Sequence, residues 1–254
     1  MTTLDFAPSG GPAPAARMLV AQTAMEVRLT LRRGESLLLV ALIPVVLLVG
    51  FSTMHVVDIT GSRVDFVVPG ILALAVMSTA FTGQAIATGF ERQYGVLKLL
   101  GATPLPRWVL LVAKTLGVLL VEMLQVALVV AVGFALGWHP HGNAAAVVAL
   151  LVLGTAAFSG LGLLMAGTLR AEATLAAANL VYVVLLLVGG VLFPLSKYPA
   201  GARHLFEALP IAALSQGLRD VLRSGVDAPT HDWIVLVVWA LAALVAAAFT
   251  FRWE

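Results

Sequence analysis

Two sets of residues in this chain are of types that do chemistry, and both stand against an apolar background. The first is the segment FERQYGVLKLLGATPLPRW, residues 90 to 108. There Glu91, Arg92, Tyr94, Gly95, Leu97, Lys98, Leu100, Thr103 and Pro104 gather charge, aromatic surface and helix-ending residues between two long apolar runs. The second is a set of polar side chains inside the apolar runs: Glu122, Gln125, Thr82, Gln84 and Asn179, with Ser78 and Thr79 beside them. Glu122 stands fourteen residues beyond Trp108, about 21 Å along a helix at ~1.5 Å per residue. A carboxylate at that depth is costly in hydrocarbon, so it marks a ligand, proton or ion path unless a Ser, Thr or Asn of a neighbouring helix satisfies it. Any one of the other polar residues is either a contact to cargo or interhelical glue.

What these residues cannot do narrows the function classes. Cysteine is absent, which excludes disulfides, thiolate metal sites and thiol nucleophiles. The histidines are His55, His139, His141, His204 and His231; the HPH pair has no carboxylate cluster beside it and reads as ordinary loop histidines rather than a metal site. There is no paired Glu-Glu motif, no His-Glu-x-x-His and no apolar-run Ser with a His partner, so an intramembrane enzyme is the weakest reading. No G-x-x-x-x-G-K-[ST] phosphate loop occurs, and the dipeptide Gly-Lys is missing altogether. The chain is therefore expected to be no enzyme and to hold no cofactor of its own.

The elements that position these residues follow from composition. Of the 254 residues 61% are hydrophobic and 11% charged, and the mean hydropathy is +1.02. That leaves too little polar surface for a soluble globule and suits a polytopic all-α membrane protein. Six apolar runs, each bounded by charge, Gly or Pro, are long enough to span: roughly 37–57, 66–89, 108–136 (entered from 104), 144–168, 173–194 and 233–251. The third exceeds the ~20 residues a bilayer core needs, so it tilts or begins in the headgroup layer. Residues 1–14 read as a disordered tail with no cleavable signal. In AARMLVAQTAMEVRLTLRRGES, residues 15–36, Leu19, Val20, Val27 and Leu31 oppose Arg17, Glu26, Arg28, Arg32 and Arg33. This is either a helix along the membrane surface or a solvated lead into the first span.

Orientation comes from the basic residues. With a cytoplasmic N-terminus, ten of the fifteen Lys and Arg (17, 28, 32, 33, 92, 98, 107, 114, 170, 252) lie inside, and Arg63, Lys197, Arg203, Arg219 and Arg223 lie outside. The bias favours six crossings with both termini in the cytoplasm. The 90–101 segment then lies on the inner face. Tyr94, Leu97 and Leu100 would share one face of a short helix ended by Gly101, and Thr103-Pro104 would cap and open the third span. Such a helix is a mechanical handle joined to two spans, or else an ordinary solvated hairpin turn. Lys114 is read as snorkelling to the headgroups. Ala156, Gly160, Gly162 and Ala166 permit close helix packing, within the protomer or between copies. Pro44 and Gly189-Gly190 are candidate bends. Residues 195–231, with Leu205, Phe206, Leu209, Ile211, Leu214 and Leu218, hold too many apolar side chains for a plain loop and are expected to dip into the outer leaflet as short helices.

The run FERQYGVLKLLGATPLPRWVLLVAK resembles the cytoplasmic segment of permease subunits of ABC type-2 exporters, with matching Glu91, Gly95, Leu97, Leu100, Thr103, Pro104, Arg107 and Lys114. Independently, residues 193–225 resemble that family's external region between the last two spans, with matching Phe193, Pro194, Pro199, Leu209, Pro210, Gly217, Arg219 and Gly225. The 15–36 helix resembles the family's elbow helix. Gly101-Ala102 before Thr-Pro departs from the pattern and puts the length of the inner helix in doubt. The resemblance implies a permease that conducts without hydrolysing. Two copies of a separate ATP-binding subunit, holding ATP and Mg, would each receive the 91–100 coupling helix, and a second permease chain, identical or related, would complete the path. It also implies export, and a place in a bacterial inner membrane. The lack of a charge belt favours drug-like, antibiotic or lipid-like amphipathic cargo over a charged polymer, and nothing points to nucleic acid. The alternative is a proton-coupled carrier or channel using Glu122, which would need no nucleotide-hydrolysing partner.

Overall fold

The computed structural model describes residues 11–32, 34–53, 62–191, 195 and 198–250, with backbone alone for 34–41 and 200. Residues 1–10 of the N-terminal tail lie outside the described residues, as do Arg33, His55, Phe193, Pro194, Lys197 and Arg252. Among the described residues all regular structure is helical. The order is α1 Ala15–Arg32, α2 Gly34–Thr53, α3 Arg63–Val76, a π-helical segment Met77–Gly83, α4 Gln84–Gln93, α5 Val96–Gly101, α6 Arg107–Ala135, α7 Ala144–Thr168, α8 Ala171–Val188, α9 Ala200–Glu207, α10 Pro210–Ser224 and α11 Thr230–Thr250. The stretch from α3 through the π segment to α4 is one continuous helix, Arg63–Gln93. It and α6, α7, α8 and α11 are five helices long and apolar enough to cross a membrane, and α2 adds the shorter apolar stretch Leu42–Thr53.

The core forms where the continuous helix meets α7 and α10. Ile71, Leu72, Leu74, Met77, Phe81, Leu150, Phe158, Leu214 and Leu218 are buried together there. Small residues set how closely the helices approach. A Cβ on Gly160 would stand 2.8 Å from both the Ala243 Cβ and the Leu244 nitrogen, so α7 and α11 are in backbone contact. A Cβ on Gly162 would stand 2.8 Å from the Phe81 carbonyl oxygen, so α7 lies directly against the π segment. The small residues of the fourth apolar run thus serve packing within the protomer.

The two short helices of residues 195–231 do bury apolar surface. They are separate: the chain turns at Ala208-Leu209 and restarts with Pro210 in the first turn of α10. On α10 Ile211, Leu214, Leu218 and Val221 face inward, while Leu205 on α9 remains exposed. Gly189 and Gly190 do not bend the fifth span. They end it, Gly189 as the residue after Val188 and Gly190 at φ 69°, a conformation that favours glycine. Of the expected 173–194 run, the helix occupies Ala171–Val188.

Candidate functional site

The charged segment departs from its expected form. It is not one helix over 90–101: α4 continues through Gln93, Gly95 takes the left-handed conformation (φ 74°), and α5 restarts as six residues. A left-handed residue reverses the helical phase, so Tyr94, Leu97 and Leu100 do not share a face. Leu97 is fully buried against Leu110 and Leu163, whereas Tyr94 and Leu99 are 75% and 73% exposed. Thr103 does not cap the third span either. Its hydroxyl donates to the Leu100 carbonyl at 2.6 Å, closing the end of α5, and α6 begins at Arg107 after Pro106. Pro104 lies in the exposed turn between them. Proline at 104 and again at 106 disfavours helical backbone at Thr103 and Leu105 before them, so α6 starts only after Pro106.

Glu91 and Arg92, the charges nearest α5, both turn inward. The Lys114 ammonium on α6 donates to Glu91 Oε2 at 2.5 Å and to Glu26 Oε2 of α1 at 3.1 Å. Gln22, one turn before Glu26, donates to the other Glu26 oxygen at 2.8 Å. Lys114 therefore does not snorkel: it is buried, and it ties three helices at one point. The close approach is built in by Gly117, where a Cβ would stand 2.9 Å from the Glu26 Cβ. Arg92 donates to the Ala166 carbonyl near the end of α7 at 2.9 Å, and Gln93 donates to Glu172 in the first turn of α8 at 2.6 Å. Lys98 is exposed on α5. The last turn of α4 is thereby fastened to α1, α6, α7 and α8, and α5 hangs from it.

Deeper in the bundle several of the polar residues in the apolar runs pair with one another, although the Thr82 hydroxyl and the Gln84 amide nitrogen find no partner among the described residues. Thr155 on α7 donates to Glu122 Oε2 at 2.7 Å. Thr79 donates to Gln125 at 2.8 Å, and Ser159 donates to Gln84 Oε1 at 2.9 Å while sharing a 2.7 Å hydrogen bond with Thr115. The line runs from the π segment to α6 and α7, and π segments recur where a helix is adapted to function. Thr82 is half-buried in the π segment. Asn179 belongs to neither group: it is exposed on α8 and, among the described residues, bonds within its own helix, to the Leu175 carbonyl at 2.8 Å. Sequence reading left Thr115, Thr155 and Ser159 unremarked, although 155 and 159 are one turn apart. It placed Glu26 among solvated charges, where its isolation among basic residues was the available signal.

Between α1, α4, the π segment and α6 lies a cavity of about 550 Å³. Its described lining includes Glu26, Glu91 and Lys114 together with the exposed Tyr94 and Thr30, and Gln84 and Thr79 farther back along the continuous helix. Neither Glu122 nor Gln125 lines it. At the opposite end of the molecule α10 contributes Arg219, buried against Phe66 with its guanidinium 4.0 Å from the ring centre. It donates to the carbonyls of Gly190 at 2.6 Å and Val191 at 2.7 Å, which Gly190 leaves pointing away from any helix.

These features make a polytopic bundle with a charge-fastened segment at one end and the buried Arg219 cluster at the other. Comparison with curated proteins gives no significant match. The model of the ABC-2 type transporter family matches residues 19–222, which takes in most of α1, the Glu26–Lys114–Glu91 triad, α5, the polar line and Arg219. The chain belongs to the ABC-2 type transporter family and is a multi-pass membrane permease, a transport component.

Proposed function

We propose that this chain is the membrane-spanning subunit of an ATP-driven exporter of amphipathic compounds. In this reading it crosses the bilayer six times with both termini in the cytoplasm, α1 is the elbow helix and α5 the coupling helix. A separate ATP-binding chain, two copies per complex, supplies ATP and Mg chemistry; two permease chains form the path. A drug-like, antibiotic or lipid-like cargo in a bacterial inner membrane remains the favoured setting.

The observation that carries the reading is how the last turn of α4 is held. A push on α5 cannot be absorbed locally, because Glu91 is fastened through Lys114 to α6 and α1 and Arg92 is fastened to α7. Packed helices with such ties move as bodies, and force at one end is expressed as a change of access at the other. The contact to the ATP-binding chain then falls on the outward residues Tyr94, Lys98 and Leu99, while Glu91 and Arg92 transmit. Pairing with a second copy is supported by α8. Its exposed face carries Leu180, Val183, Val184 and Leu187 with Asn179 among them, and an amide inside a membrane is better placed against another helix than against lipid.

The test is to reconstitute the chain with an ATP-binding chain sought among the products of the neighbouring reading frames. Leu99→Glu should abolish cargo-stimulated ATP hydrolysis while leaving the permease folded. Stimulation unchanged in that variant, or uptake driven by a proton gradient with no ATP-binding chain, would overturn the proposal.

A further inference from the structure

The cavity between α1, α4 and α6 has the size of a small-molecule site, ~300–1,000 Å³, and its lining is uneven in a way that specifies a ligand. Leu29, Ile86, Ala87, Phe90, Val118 and Val121 make apolar walls. The charged groups among the described lining are two carboxylates, Glu26 and Glu91, and one ammonium, Lys114. Their formal sum is −1. Arg92, the nearest cation on α4, does not offset it, since its guanidinium is turned to the Ala166 carbonyl. A negative charge against low-dielectric walls favours a cation over a neutral or anionic partner.

A second observation is independent of charge. Gln84 and Thr88 also line the cavity, 5% and 1% exposed, and the Gln84 amide nitrogen and the Thr88 hydroxyl have no hydrogen-bond partner. Buried polar groups of this kind are ordinarily satisfied. Gln84 is seven residues before Glu91, about 10 Å along the helix at ~1.5 Å per residue. A ligand that completes the site therefore has a cationic end at the opening and a hydrogen-bonding group roughly 10 Å away from it on an apolar body.

We propose that this cavity binds a lipophilic monocation, an amphipathic amine that partitions into the inner leaflet and enters beside Tyr94 and Leu29. The proposal rests on the permease reading and names the cargo class it takes. A phosphatidylethanolamine headgroup also carries an ammonium, but its phosphate would meet the same carboxylates, so the free amine is the assigned source.

The test uses the full chain in phosphatidylcholine nanodiscs, with no nucleotide and no ATP-binding chain. The probe is a dansyl sulfonamide carried on a ten-carbon chain ending in a primary amine, compared with its N-acetyl and carboxylate counterparts by fluorescence anisotropy. The amine is expected to bind at least tenfold more tightly than the N-acetyl compound, with the carboxylate weakest. Glu26→Gln should cut the amine preference below threefold while leaving the N-acetyl affinity in place, which also reports an intact fold. Ala87→Trp should fill the cavity and lower amine affinity at least tenfold, with thermal unfolding run alongside. Equal binding of amine and N-acetyl probes, or amine binding unchanged in Ala87→Trp, would overturn the site. Displacement of the amine by phosphatidylethanolamine added to the nanodisc would overturn the assigned source. Binding as expected without ATP-driven transport would sink the exporter reading alone, and transport without binding here would sink this site alone.

Discussion

Replacing Lys114 by Met removes the ammonium that stands between two carboxylates and keeps a side chain of similar length. At an effective dielectric of about 20, unit charges 2.5 to 3.1 Å apart attract by roughly 5 to 7 kcal/mol. Most of that is offset by the desolvation of Lys114 itself, so the attraction is not the cost of the substitution. The cost is the pair of carboxylates left facing one another. Deleting one partner of a buried ion pair costs about 3–5 kcal/mol. Because Glu26 and Glu91 keep 14% and 15% of their side-chain surface in solvent, the lower end applies, about 3 kcal/mol. For a chain of this size that lowers the apparent Tm by roughly 6–12 °C. The assay is thermal unfolding in one detergent of four forms: wild type, Lys114→Met, Glu26→Gln with Glu91→Gln, and all three changes together. The triple form is expected to recover to within about 1 kcal/mol of wild type, since an uncharged cluster of similar volume loses no ionic partner. If Lys114→Met and the triple form unfold at the same low temperature, packing rather than charge is what Lys114 supplies. If Lys114→Met unfolds with wild type, the triad ties nothing together.

Other expectations follow from the far end and from the polar line. Arg219→Leu leaves the Gly190 and Val191 carbonyls without their donor, at about 1–3 kcal/mol for each buried group; thermal unfolding should fall accordingly, and Arg219→Lys, with no planar fork, should recover only part of it. Glu122→Gln preserves an acceptor for Thr155, so nucleotide-driven transport should persist within about threefold. Loss of transport in that variant, with a proton gradient as the driving force, would favour the carrier mechanism.

The sequence made the all-helical class and the long apolar helices readable because apolar length and charge boundaries are local properties, and five of the six expected runs are helices long enough to span. The helix of α7 is legible in its apolar run, and its closeness to α11 in Gly160. What the sequence did not disclose are the long-range ties. Glu26 stands out on α1 as a carboxylate among basic residues, but nothing local shows that it bonds a lysine eighty-eight positions away. The break at Gly95 was equally hidden: a glycine within a helical pattern is tolerated, and only the packing of Leu97 into the cluster with Leu110 shows why the chain reverses phase there. Glu122 shows the converse. Its depth marked it as exceptional, yet a hydroxyl on α7 satisfies it, and that hydroxyl is visible only once α6 and α7 are side by side.

The most direct measurement is a photo-crosslinking residue placed at position 99, on the outward side of α5, in the complex purified with its ATP-binding chain. The account predicts an adduct with that chain whose yield changes when ATP is trapped. Adducts with lipid alone, or reaction of position 99 with a membrane-impermeant reagent added to intact cells, would contradict it.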